Sequence, residues 1–97
     1  MKFIQIMEFR PSKFEKMQAM EADWRKATEG RRTLRRSLLC RDRNDPNRYL
    51  VLAFFDSPES VAVNSELPET TAFANQANAI VDSPMTFQDL DVVEDNT

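Results

Sequence analysis

Written as extended strands, two stretches of this chain are apolar on both faces. Lys2–Arg10 divides into Phe3, Gln5, Met7 and Phe9 on one side and Ile4, Ile6, Glu8 and Arg10 on the other, while Tyr49–Phe55 is apolar throughout. Side chains alternate along a strand, so a strand with one wet face shows a polar residue at every second position. Neither stretch does, and such strands belong in the middle of a sheet. Two further stretches read differently. Thr33–Asp42 sets Leu34, Leu38 and Cys40 against Thr33, Arg35, Ser37 and Arg41, and Met85–Val93 alternates polar with apolar residues. Those patterns suit the edges of a sheet.

Helical segments lie between the strands. Ser12-Lys13-Phe14-Glu15 has the form of a capping box, the Ser12 hydroxyl accepting from the Glu15 amide. Phe14, Met17, Met20, Trp24 and Ala27 follow at spacings of three and four, which makes one apolar face and predicts a helix over 13–29. Gly30, the only glycine, stands where a left-handed C-terminal cap is wanted. Asn44-Asp45-Pro46-Asn47 reads as the turn of a hairpin joining the second and third strands. Ser57-Pro58-Glu59 opens a short helix, with an N-cap serine, a proline at the first helical position and an acid against the dipole. Leu67-Pro68 interrupts it. A second segment then carries Phe73, Ala74, Ala77, Ile80 and Val81 on one face until Asp82-Ser83-Pro84, and Glu94–Thr97 is a tail.

The order is β-α-β-β-α-β, that of a ferredoxin-like α+β fold: one domain over 1–97, with a four-stranded antiparallel sheet and helices on one face. In that topology the first and third strands are central, which is where the two doubly apolar stretches fall. The helix-free face of such a sheet would be a large apolar patch in a monomer, so a homodimer with its sheets face to face is expected.

Composition removes whole classes of chemistry. The chain has no His, so it can form no Ser-His-Asp or Cys-His constellation and no His-ligated zinc or haem. One Gly excludes dinucleotide and P-loop fingerprints, and one Cys, Cys40, excludes an intrachain disulfide. Without a base beside it, Cys40 is expected to be a small buried hydrophobe. The opening residues do not read as a signal peptide, and no window is apolar enough to span a membrane, so a cytoplasmic protein without a membrane partner is expected. Charge is strongly segregated. Residues 1–48 hold all 13 cations against seven acids, a net +6, and residues 49–97 hold nine acids and no base, a net −9. Arg48–Phe55 is superficially like an RNA-binding aromatic strand, but it lacks that motif's glycine in a chain of pI about 4.9, so no nucleic-acid partner is expected.

The segments Lys2-Phe3-Ile4-Gln5-Ile6-Met7-Glu8-Phe9, Arg48-Tyr49-Leu50-Val51-Leu52-Ala53-Phe54-Phe55-Asp56-Ser57-Pro58-Glu59 and Asn64-Ser65-Glu66-Leu67-Pro68-Glu69 resemble the dimeric α+β barrel superfamily, in its antibiotic biosynthesis monooxygenase-like branch. The resemblance runs from residue 2 to residue 93. It implies a dimer of ferredoxin-like subunits, each with a pocket between sheet and helices for a small apolar or aromatic ligand. It also implies oxygenase chemistry on aromatic or polyketide-like substrates without metal or flavin, the substrate's own enolate or phenolate reducing oxygen. Where many relatives carry a His after the second helix, this chain has Asn64 and Glu69, so no imidazole is there to act as a base near neutral pH.

Candidate site residues follow from both readings. Glu8, polar in a central strand, is either paired to an Arg or a desolvated carboxylate able to act as a base, and it is the first catalytic candidate. The second is Asn64, on the resemblance alone. Gln5, Met7, Trp24 and Tyr49 are the candidates for binding a substrate. No metal ligand and no cofactor is expected. A non-catalytic ligand-binding or assembly module on the same scaffold is the alternative.

Overall fold

A computed structural model describes residues 2–96; Met1 and Thr97, the ends of the expected domain, lie outside the described residues. The elements run β1 (Phe3–Phe9), α1 (Phe14–Ala27), β2 (Arg36–Arg41), β3 (Tyr49–Phe55), α2 (Pro58–Glu66), α3 (Pro68–Asn78) and β4 (Thr86–Asp91). All pairings are antiparallel, and the strand order is β2-β3-β1-β4. The two doubly apolar strands are therefore central, as their patterning requires.

Register sorts the side chains into two faces. One carries Phe3, Gln5, Met7 and Phe9 of β1 opposite Phe55, Ala53, Val51 and Tyr49 of β3. The helices pack over its middle, leaving Leu39 and Phe87 of the outer strands exposed, and the core there forms two clusters. Phe9, Met17, Ala77 and Ile80 make one, with Met20, Tyr49, Val51 and Phe73 against it. Phe3, Ala53 and Phe55 make the other, with Met7, Leu34 and Val61 against it. The second face carries Ile4, Ile6 and Glu8 beside Phe54, Leu52 and Leu50, flanked by Leu38 and Cys40 of β2 and by Leu90 of β4. No helix covers it, and Leu38 and Leu90 are 37% and 43% exposed. Cys40 is exposed there too, not buried as expected, because β2 is an outermost strand open on both faces, Leu39 on its helix-facing side being exposed as well.

The ends of the helices show where local signals prevail and where distant contacts override them. Ser57 caps α2 as expected, its hydroxyl accepting from Ser60 N at 3.2 Å. The capping box at Ser12 does not form. Lys13 is the N-cap of α1, and no side chain caps that helix. The reason is a long-range pairing: Ser12 N donates to Ile80 O at 2.9 Å and Asp82 N to Arg10 O at 2.7 Å, flanking a bridge between Pro11 and Val81. Helix α1 stops at Ala27, two residues early, and the fully buried Thr28 is its C-cap, its N–H and its hydroxyl both donating to Trp24 O, at 3.0 and 2.7 Å. Gly30 then takes φ +79°, the left-handed conformation expected of it, in a turn where Thr28 O accepts from Arg31 N and Arg32 N. Strand β2 begins at Arg36 rather than Thr33, since Thr33 is drawn to α2.

Chain order also separates charge across the sheet. Arg36 and Arg41 lie on β2 at one margin, and Asp89 and Asp91 on β4 at the other.

Candidate functional site

The helix-facing side of the sheet is a set of transverse rows. Leu39, Val51, Met7 and Phe87 form an apolar row, and Phe55 and Phe3 begin another. Between them runs Ser37, Ala53, Gln5 and Asp89, a row of short or hydrogen-bonding side chains. Gln5 Nε2 donates to Asp89 Oδ1 at 3.1 Å at one end. At the other, Arg25 of α1 donates to Ser37 Oγ at 2.6 Å while also pairing with Glu21. The row has polar groups at both ends, while the buried Ala53 in its floor belongs to the second core cluster with Phe3 and Phe55, against which Met7 of the next row packs.

Trp24 stands on α1 next to Arg25 and is fixed from three directions. Its Nε1 donates to Thr70 Oγ1 at 2.9 Å, its ring meets Phe73 at 6.3 Å, and the Arg32 guanidinium lies 5.8 Å from the ring centre. It is half-buried and ties α1 to α3. Tyr49 is on the helix-facing side as well, but in an aromatic stack with Phe14 at 4.4 Å and Phe9 at 5.8 Å, beyond the Met7 row. Gln5 and Met7 are neighbours on the floor.

The two catalytic candidates are not brought to this floor together. Glu8 is on the opposite face of β1, where Arg48 donates to its Oε1 at 2.8 Å and to Asp42 Oδ2 at 2.9 Å. The Arg48 hydrogen bond holds the Glu8 carboxyl below its ordinary value, and Arg48 itself is raised by both acids. Of the two readings of Glu8 the Arg-paired one is seen, and, three positions from Gln5 along the strand, its side chain faces the other side of the sheet. Asn64, near the end of α2, is 7% exposed, and its Oδ1 accepts from Thr33 N at 3.1 Å. Thr33 Oγ1 donates to Ser60 O in the same contact. Asn64 brackets the segment entering β2 against α2, and its amide NH2 is the end left for another partner.

Concavities lie elsewhere. One of about 340 Å3 sits between α1 and α3, lined by Lys16, Met20, Gln76, Ala79 and Ile80. Another of about 480 Å3 is bounded by Arg41, Asp42, Arg43 and Pro46 at the β2–β3 turn. Neither is lined by Gln5, Met7, Trp24 or Tyr49. Among the described residues there is no group of three His, Cys, Asp or Glu placed to hold a metal ion. No described helix is long and apolar enough to cross a membrane.

Residue-level prediction missed Asp89 and Ser37. The signal that finds them is parity: the alternation of 85–93 puts Asp89 and Asp91 on one side, and only strand register shows that side to be Gln5's.

An antiparallel sheet in this order with helices on one side defines a ferredoxin-like α+β domain. Compared by sequence, no protein-family model and no curated protein matches the chain. Compared by structure, it matches many. An antibiotic biosynthesis monooxygenase superposes with a TM-score of 0.77 at 13% identity, over 95% of this chain and 99% of its own. Rv0793 from Mycobacterium tuberculosis superposes with a TM-score of 0.79 at 12% identity, over the whole of both chains. A mutant of SnoaB, a cofactor-independent oxygenase from Streptomyces nogalater, does so at 0.81 and 13% identity, over 97% and 95%. The chain has the fold of the antibiotic biosynthesis monooxygenase-like structures, in agreement with the resemblance carried by its strand segments.

Proposed function

We propose that this protein is a cytoplasmic homodimer that binds a small aromatic or polyketide-like molecule between the helix-facing floor of the sheet and α1. What supports the reading is the match of the fold to an antibiotic biosynthesis monooxygenase and to a cofactor-independent oxygenase, with Gln5 and Met7 adjacent on the helix-facing floor of the sheet. A flat ligand on that floor would have Gln5 and Met7 beneath it and Trp24 and Tyr49 at its margins. The homodimer is supported by the uncovered face, where Ile4, Ile6, Leu50, Leu52 and Phe54 form a continuous apolar surface.

The neighbours' names support oxygenase chemistry without a cofactor, and Glu8 and Asn64 remain its candidates on this chain. Glu8 is the weaker, because Arg48 keeps it ionised and on the other face. An oxidation here would take its electrons from the substrate's own enolate or phenolate, with no metal or flavin. That placement favours binding over base catalysis.

Trp24 is the only tryptophan and therefore a specific reporter. Titration with 2-naphthol is expected to change its fluorescence saturably, with matching heat by calorimetry. Neither signal appearing would overturn the reading. Oxygen uptake with a hydroxylated anthracenone then separates the two branches: uptake identifies an oxygenase, and binding without uptake a carrier.

A further inference from the structure

We infer that the β2–β3 hairpin carries a binding site for a small soluble oxyanion, a phosphate or phosphate monoester, held between the guanidinium groups of Arg41 and Arg43. The site is separate from the floor of the sheet. Its concavity of about 480 Å3 is bounded by Arg41, Asp42, Arg43 and Pro46. Four arginines meet at this end of the molecule, and both acids of the turn are already taken. Asp42 accepts from Asn44 N at 2.7 Å and from Arg48 at 2.9 Å. Asp45 accepts from Asn47 N at 3.2 Å and from Arg10 at 2.6 Å. Arg48 reaches on to Glu8 at 2.8 Å. Each carboxylate thus has its cation, and none is left for the two arginines at the concavity. Among the described residues neither Arg41 nor Arg43 has an ion-pair partner.

The loop that presents them is braced. Asp42 N donates to Arg48 O at 2.9 Å and Arg48 N to Asp45 O at 3.0 Å, and the pairs to Glu8 and Arg10 tie the turn to β1 and the residue after it. By register Arg41 lies on the helix-facing side of the sheet, opposite Tyr49, so a second copy seated on the uncovered face leaves it open. A guanidinium is always charged, and its planar fork of donors matches an oxyanion. Two uncompensated cations match a dianion, which favours phosphate over a monocarboxylate. Arg41 and Arg43 are both exposed, so salt screens them and the affinity is modest, with a Kd in the millimolar range.

The test is a titration of the 15N-labelled full-length protein with sodium phosphate, at constant ionic strength and at a pH where phosphate is a dianion. Saturable shifts are expected in the main-chain amides of Asp42, Arg43 and Asn44 and in the side-chain Nε–H signals of Arg41 and Arg43. Arg41→Gln and Arg43→Gln should each weaken binding about threefold to fivefold, the worth of one exposed ion pair, and the two together should remove saturation. Arg36→Gln takes the same charge from the other end of β2 and should leave the affinity unchanged. An equal loss there would mean that phosphate answers only to net charge, and would overturn the site. Acetate should bind more weakly than phosphate, and equal binding of the two overturns the dianion assignment. Shifts that do not saturate, or capture by anionic lipid vesicles without any response to phosphate, overturn the inference as a whole.

Discussion

Asn64→Ala tests whether that amide is a structural bracket. Asn64 is 7% exposed and accepts from Thr33 N at 3.1 Å, joining α2 to the segment that enters β2. Alanine removes the acceptor and leaves a main-chain N–H without its partner, and a buried donor orphaned in this way costs about 1–3 kcal/mol. Thr33 is half-buried, so water recovers part of the loss and a cost of about 1–2 kcal/mol is expected. In a domain of this length, ~1 kcal/mol corresponds to about 4–8 °C in Tm, so the variant should melt roughly 5–15 °C lower. Urea unfolding followed by circular dichroism gives the free energy, with protein concentration held constant because self-association would shift the midpoint. The slope against urea should not change, and exchange of the Thr33 amide should accelerate. A midpoint shift worth less than about 0.5 kcal/mol, the ordinary effect of a surface change, together with unchanged Thr33 exchange, would refute the bracket.

Three further outcomes follow from other parts of the molecule. Glu8, Asp45 and Glu69 are held below their ordinary values chiefly by Arg48, Arg10 and Arg31, and Asp42 by the Asn44 main-chain N–H and then Arg48. Their stabilisation is complete above the ordinary values of 4.5 for Glu and 3.8 for Asp, and it is lost as pH falls through the lower folded-state values. Arg48→Met should flatten that acid loss in urea midpoints measured at successive pH values, and an identical acid limb would contradict the assignment. Gly30→Ala should cost about 1 kcal/mol from backbone strain alone, since a Cβ there meets nothing within 4 Å while φ is +79°. A neutral result in urea would mean that the turn relaxes to negative φ. Leu52→Glu places a charge in the centre of the uncovered sheet face and should convert a sedimenting dimer to monomer at micromolar concentration; a parent protein that is already monomeric excludes the face-to-face contact.

Much of the fold was legible because its signals are local and repeated. The limits of β3, Tyr49 and Phe55, coincide with an unbroken apolar run, and Ser57-Pro58-Glu59 opens α2 with the cap, proline and acid that the sequence supplies. Prediction failed where a distant partner decides. Ser12 gives its N–H to Ile80, and Thr33 leaves the expected second strand for Asn64 and Ser60, contacts 68, 31 and 27 positions away in sequence. The site was legible in part. Strand parity already separates Gln5 and Met7 from Glu8, so those three could never line one floor. Parity does not say which face the helices take, nor which residue of an outer strand lands beside Gln5. That depends on the β1–β4 register, and Asp89 was invisible without it.

The placement of β2 and β4 at opposite margins makes the sheet an in-plane electric dipole, with arginines along one border and aspartates along the other. Both borders offer unpaired main-chain groups, the usual template for strand addition. Symmetric addition would set β2 beside β2 or β4 beside β4, and like charges oppose each. The lateral contact that attracts is head to tail, β2 of one copy beside β4 of the next, which grows open-ended rather than closing. Salt screens exposed charges over a Debye length of about 8 Å at physiological ionic strength, whereas burial of an apolar face is not weakened by it. Ionic strength is thus the variable that would separate two kinds of self-association: edge-to-edge chains would dissolve as salt rises, and a face-to-face pair would persist.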